Sequence, residues 1–172
     1  MPLEHVVHPI PPLFNAQSEI LILGSFPSVK SRETAFFYGH PQNRFWPLIA
    51  ALTQSPRPQT IAQKKDLILK HHFALWDVIA SCDIVGSSDS SIKNAVPNDL
   101  SIILDHAPIQ CIAVNGKTAE RFYKKYAEAK TKRPAIVLPS SSPANATWSF
   151  DRLLNTWARL LIDNAPLSFL CT

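Results

Sequence analysis

Short aliphatic runs alternate along this chain with longer stretches in which apolar residues recur at helical spacing. Glu19-Ile20-Leu21-Ile22-Leu23-Gly24 is a continuous aliphatic run ending in glycine, the pattern of a strand buried on both faces of a parallel sheet. A long loop, Ser25 to Asn43, follows it. Arg44 to Gln54 then reads as a helix with Phe45, Trp46, Ile49 and Leu52 on one face. Thr60 to His71 reads as a second helix, capped by Thr60. Phe73-Ala74-Leu75-Trp76 is the next strand. Ser81 to Asn98 is polar and serine-rich and reads as a surface loop. A short helix over Asp99 to His106 leads to a strand at Cys111 to Val114. A basic helix, Lys117 to Ala129, a strand, Ala135 to Leu138, and a closing helix, Asp151 to Ile162, complete the order. The alternation predicts an α/β fold: a three-layer α/β/α arrangement around a central, mostly parallel four-stranded sheet. No internal repeat or linker interrupts the 172 residues, so 1–172 reads as one domain.

In such folds ligands bind at the carboxyl ends of the strands. The loops there are Ser25 to Asn43, Asn115-Gly116 and Pro139 to Asn145, and they carry serines, prolines, amides and aromatics. Composition narrows what they can do. Four glycines form neither GxGxxG nor GxxxxGK[ST], and there is no HExxH. Gly24-Ser25-Phe26-Pro27-Ser28 is not a nucleophile elbow, because no glycine follows Ser28. Cys82, Cys111 and Cys171 are dispersed, which points to reduced thiols in an intracellular protein and away from a disulfide frame, zinc site or iron–sulfur cluster. No metal and no cofactor is expected. Met1 to Pro12 lacks the apolar core of a signal peptide, and no apolar run is long enough to cross a membrane, so a cytoplasmic or nuclear location is expected. The formal net charge of +4 is compatible with a polyanionic partner without requiring one.

Taken singly, the loop residues are ambiguous. Ser25, Ser28 and Ser31, and Ser140, Ser141 and Ser142, suit phosphate oxygens, yet serines beside prolines also cap turns. Phe36, Phe37 and Tyr38 could stack on a base or belong to the core. Asn43 could act on a substrate or cap the Arg44 helix, and Asn115-Gly116 could be a turn.

The combination is more specific. Gly24-Ser25-Phe26-Pro27-Ser28, then Ser31, then Tyr38-Gly39-His40-Pro41-Gln42-Asn43-Arg44-Phe45-Trp46, resembles the first motif of mismatch-specific uracil-DNA and thymine-DNA glycosylases. Leu138-Pro139-Ser140-Ser141-Ser142-Pro143-Ala144-Asn145 resembles their second motif, the loop that enters the DNA gap left by a flipped nucleotide. Leu75-Trp76-Asp77-Val78 and Asn115-Gly116 fall where that family places strand ends. Two positions depart from the uracil-directed pattern. Phe26 stands where those relatives carry a water-positioning Asn or Asp, and Leu138 stands where they carry Asn or His. Both departures match the hypoxanthine-DNA glycosylase branch, in which the essential amide is assigned to the position of Asn43.

The resemblance implies a monofunctional glycosylase that hydrolyses the bond to a flipped, deaminated base in single- or double-stranded DNA, acting as a monomer away from membranes. It implies Asn43 as the catalytic residue and Phe26, Tyr38, Asn115 and Ser25 as base-binding. It places Ser28, Ser31, Ser140, Ser141, Ser142, Pro143, Ala144 and Asn145 against DNA. Asp77 is the nearest acidic candidate. A uracil or xanthine glycosylase, a non-catalytic DNA-binding module and a small-molecule enzyme on the same sheet are the alternatives.

Overall fold

A computed structural model describes residues 1–170, so Cys171 of the cysteine set lies outside the described residues. Its centre is a four-stranded, wholly parallel sheet of β2 (Ile20–Gly24), β3 (Phe73–Asp77), β6 (Cys111–Asn115) and β7 (Ile136–Leu138), in the order β3-β2-β6-β7. Ile20 to Leu23 have no exposed surface, as a central strand without alternation requires. Around the sheet lie α2 (Phe45–Leu52), α3 (Ile61–Lys70), α5 (Lys117–Tyr126) and α7 (Phe150–Asn164). Of these, α3 meets β3, α5 meets β6, α7 meets β7, and α2 packs on α7. Trp157, Phe45 and Phe73 are among the largest fully buried side chains, and each stabilises the fold by about 2–3 kcal/mol through the water it leaves behind. The Trp157 indole N–H is satisfied by the Pro139 carbonyl at 2.8 Å, which ties α7 to the loop after β7. Thr60 caps α3 in a full capping box with Gln63.

Four features differ from the sequence expectation. The stretch Ser81 to Asn98 is not a loop throughout. β4 (Ile79–Val85) and β5 (Lys93–Pro97) pair antiparallel within it, and β1 (Leu3–Val7) joins the other edge of β4. This second sheet, ordered β1-β4-β5, buries only Ile79, Cys82 and Ile84 of β4. Two register shifts between β4 and β5 further blur the period of two on which strand recognition depends. Second, the long loop contains α1 (Val29–Thr34), a turn and a half that is too short for a periodic signal. Third, the basic helix breaks at Ala127, and α6 (Glu128–Thr131) ends on Lys132 in the left-handed region at φ +57°. The helix expected over Asp99 to His106 is confined to α4 (Ser101–Leu104).

The chain passes from β3 into β4 with almost no loop. The Val78 N–H donates to the Gly24 carbonyl at 2.9 Å and that of Ile79 to the Ser25 carbonyl at 3.1 Å. The far end of β4 is consequently led back across the carboxyl end of β2.

Candidate active site

A cleft of about 320 Å³ opens at the carboxyl ends of the parallel strands. Its floor is Gly24 from β2, Asp77 from β3 and Asn115 from β6, and its walls come from the loops after β2, β4 and β7. Ser25, Phe26, Ser28, Ser31, Tyr38, Asn43, Asn115 and Ser140 to Ala144 all line it. Asn145 is not among the lining residues; its side chain donates to the Ser140 carbonyl at 3.0 Å and so holds the loop's shape. The lining contains two carboxylates, Asp77 and Asp89, and neither lysine nor arginine.

The amides of Asn43 and Asn115 are joined through Ser141. Asn43 Oδ1 accepts from the Phe45 N–H at 2.9 Å and from the Ser141 hydroxyl at 2.9 Å. Asn115 Nδ2 donates to that same hydroxyl at 2.9 Å, and Asn115 Oδ1 accepts from the Ser141 N–H at 3.0 Å. These bonds fix which end of the Asn43 carboxamide is oxygen, because the Phe45 N–H can only donate. Among the described residues nothing engages Asn43 Nδ2, so an oriented donor is left at the cleft wall. Helix capping and a site role are thus compatible at Asn43: the oxygen serves α2 and the nitrogen is spare.

The serines divide. Ser28 is the N-cap of α1, accepting from the Ser31 N–H at 3.2 Å. Ser31 is 2% exposed and its hydroxyl accepts from the Gly39 N–H at 2.9 Å. Ser141 is 1% exposed and spends its hydroxyl on the two amides. Ser31 and Ser141 therefore support the surface expected to meet DNA from behind. Their buried hydroxyls are already bonded to the protein. Ser140 and Ser142 are half-buried and also shape the turn, each accepting from an N–H two residues on.

Arg44 is a structural residue that the sequence did not single out. Its guanidinium donates to the carbonyls of Ser142 at 2.9 Å, Asn145 at 3.0 Å and Ser141 at 3.5 Å, and also to that of Trp148. One fork at the start of α2 gathers the whole loop after β7.

On the β3 side, Phe26 is 8% exposed, and the imidazole of His8 meets it edge-on at 5.9 Å. His8 accepts from the Ile10 N–H through Nδ1 at 3.2 Å, which makes Nε2 the protonated nitrogen, and Nε2 donates to Asp77 Oδ2 at 2.6 Å. Both side chains are nearly sealed from solvent. The other Asp77 oxygen lies over Gly24, where a Cβ would come within 2.4 Å of it, so only glycine fits there. Tyr38 has a left-handed φ of +52° and stacks on Phe45 with ring centroids 4.0 Å apart. Its buried hydroxyl lies beside Asn115 without completing a hydrogen bond of ordinary geometry. Burial first, and the Asp77 charge second, push its ionisation above the usual tyrosine range.

Asp89 was hidden in the serine-rich stretch. It sits in a single 3-10 turn, Asp89–Ser91, whose loop is pinned to the rim of the cleft. Ser87 Oγ accepts from the Val29 N–H at 2.9 Å, Arg32 donates to the Gly86 carbonyl at 3.2 Å, and Asp89 Oδ1 accepts from Ser25 Oγ at 3.2 Å. Burial, and secondarily the Asp77 charge, raise the Asp89 carboxyl above its ordinary value, against opposing effects of Ser25, Arg121 and Thr118. Cues for Asp89 and His8 were absent from local sequence, since His8 bonds Asp77 and Asp89 bonds Ser25, each far away in the chain. Among the described residues no group of three or more His, Cys, Asp or Glu is placed to hold a metal ion.

The sequence profile of the uracil DNA glycosylase superfamily matches residues 11–161. The chain is 36% identical over 146 residues to a hypoxanthine DNA glycosylase of Methanosarcina acetivorans, a match covering 83% of this chain and 90% of that one. It is 34% identical over 137 residues to a hypoxanthine DNA glycosylase of Methanosarcina barkeri, covering 78% and 85%. A solution NMR structure from Methanosarcina acetivorans, described as that of a candidate uracil DNA glycosylase, superposes with a TM-score of 0.73. That match is at 31% identity and covers 88% of this chain and 96% of the other.

Proposed function

The chain belongs to the uracil DNA glycosylase superfamily and is a DNA glycosylase, and from that premise we propose that its principal substrate is hypoxanthine in DNA. The reaction breaks the C1′–N9 bond of a deoxyinosine nucleotide. Positive charge builds on the sugar, the bond's electron pair leaves with the purine, and water adds to C1′. Chemistry inside a stacked duplex requires the nucleotide to be extruded, at a cost of a few kcal/mol.

The observation that carries the reading is the Asn43 carboxamide, locked through its oxygen by Phe45 and Ser141, with its nitrogen free at the cleft wall. In this reading Nδ2 hydrogen-bonds the attacking water or the sugar. Its bonds to the protein are made before substrate arrives, so little reorganisation is needed as charge develops. Phe26 supports the same base: an apolar ring in the cleft cannot position water, so the polar task falls to Asn43. Tyr38, backed by Phe45, supplies a stacking face for a purine. The backbone N–H groups of the Ser25 to Ser28 turn and of Ser140 are neutral donors for phosphate oxygens. Binding as a monomer to single- or double-stranded DNA carrying the deaminated base belongs to the same proposal.

A lesion panel tests it. Oligonucleotides carrying deoxyinosine, deoxyuridine or deoxyxanthosine are incubated with enzyme in excess, and abasic sites are counted after alkaline cleavage. Release of hypoxanthine is expected to exceed release of uracil by at least about tenfold, the scale on which one mismatched pocket contact discriminates. Uracil release equal to or faster than hypoxanthine release overturns the base assignment.

A further inference from the structure

We propose that Asp89 is the catalytic acid of the reaction, giving its carboxyl proton to a ring nitrogen of the departing base. The inference rests on the glycosidic hydrolysis proposed above.

The cleft has two chemically different walls. The Asn43–Ser141–Asn115 network is anchored on β6 and the loop after β7, at one side of the sheet. Asp77 and Ser25 stand at the β3 and β2 side, and Asp89 reaches in from the loop after β4, beside Ser25 and Thr118 at the start of α5. Hydrolysis needs help in two places, at the incoming water and at the leaving base. An amide can orient water but has no proton to give, so the opposite wall is where a proton donor is of use.

Asp77 is not suited to that task. One of its oxygens is occupied by the His8 imidazole N–H, and the other is packed over Gly24. Asp89 differs. Its carboxyl meets the hydroxyls of Ser25 and Thr118, each of which can donate to a carboxylate or accept from a carboxyl, so both protonation states are accommodated. The loop that carries it is held by Arg32 and by the Val29 N–H, so the position is built into the rim. A cleft that receives a polyanion, has no lysine or arginine in its lining and contains two acidic side chains would repel DNA if both were charged. A neutral Asp89 lowers that repulsion and leaves a proton where the base departs.

The balance is simple. The Asp89 proton passes to a ring nitrogen of the base, and the C1′–N9 electron pair leaves with the base, which departs neutral. Water oxygen bonds to C1′ and its proton is released to solvent. Asp89 is then re-protonated from solvent. The charged and titratable groups around Asp89 are Asp77 of β3, with His8 behind it, Arg121 of α5, Arg32 of α1 and the Cys82 thiol of β4. Because the carboxyl pKa is raised, the active protonated form persists above the usual carboxylate range and is lost as pH rises through that value.

The test is single-turnover excision from a deoxyinosine duplex between about pH 5 and about pH 9, for wild type, Asp89→Asn and Asp89→Ala. Wild type is expected to lose rate about tenfold per pH unit on an alkaline limb. Asp89→Asn keeps an acceptor for Ser25 but has no acidic proton. It is expected to be slower by about 10²-fold at the acidic plateau and to lack the limb, with an unchanged melting temperature and unchanged or tighter DNA binding. Asp89→Ala should match it in rate. An Asp89→Asn variant with wild-type rate and limb overturns the proposal. So does one whose rate falls only in step with DNA binding and melting temperature. If wild type releases uracil in place of hypoxanthine, the base assignment fails, and the same comparison on the released base still decides Asp89. Release of no base at all defeats the functional reading and the proposal with it.

Discussion

Asn43 faces two ways, and substitution can separate them. Its oxygen accepts from the Phe45 N–H and the Ser141 hydroxyl, while its nitrogen is the group assigned to water or sugar. Asn43→Ala removes both functions. It should cost about 1 kcal/mol as a lost helix cap, and more if the buried Ser141 hydroxyl is left without an acceptor. Asn43→Asp keeps both acceptances, removes the donor and adds a negative charge to the cleft. Excision should fall by roughly 10²-fold or more in both variants, whereas melting temperature should fall in the alanine variant alone. DNA affinity should change far less than rate. Single-turnover rates and thermal melts on the two proteins check this, and a fully active Asn43→Asp removes the amide nitrogen from the mechanism. Asn43 was legible in the sequence because it sits in a long motif whose neighbours resemble a known family. His8 and Asp89 were not, because their meaning depends on contacts with Asp77 and Ser25 that lie 69 and 64 residues away in the chain.

At the level of elements, the four parallel strands were readable because a central buried strand is an unbroken aliphatic run, as Ile20 to Leu23 shows. The antiparallel sheet was not. β5 has no fully buried residue, and the serines around it imitate a loop. The missed sheet matters because β4 delivers the Gly86 to Ser91 loop to the cleft. On the opposite wall one side chain makes several of the ties. Arg44 bonds the carbonyls of Ser141, Ser142, Asn145 and Trp148, and thereby couples α2 to the loop after β7. Lysine keeps the charge but offers a point in place of a fork. Arg44→Lys is expected to destabilise the protein by about 2 kcal/mol, the worth of one or two hydrogen bonds to a charged group. It should also speed amide hydrogen exchange between residues 139 and 148 more than elsewhere, and slow excision through the Ser141–Asn43 link. Exchange by mass spectrometry reads this directly; protection in that loop equal to wild type would show that Arg44 is dispensable there.

For the whole molecule, the decisive quantity is how charge is distributed relative to the cleft. The net charge is only +4, and no lysine or arginine lines the cleft. The basic helix foreseen in the sequence is partly occupied with itself. Lys124 pairs with Glu120 at 3.1 Å, Arg121 lies over Phe122 at 4.8 Å, and Lys125 lies over Tyr126 at 5.1 Å. If phosphates are held mainly by backbone N–H and hydroxyl groups, few counterions are released on binding, because neutral donors do not displace condensed cations as ammonium or guanidinium groups do. With about one to three cationic contacts from the rim, the slope of log affinity against log salt should lie between about −1 and about −3. Between about 50 and about 200 mM salt the affinity for a non-cleavable deoxyinosine duplex should then fall by about 4- to 60-fold. Fluorescence anisotropy across that range measures the slope. A flat response would mean that charge plays no part in holding DNA. A slope steeper than about −5 would mean that a cation-rich surface outside the cleft dominates binding, and the serine-lined walls would lose their assigned role as the phosphate grip.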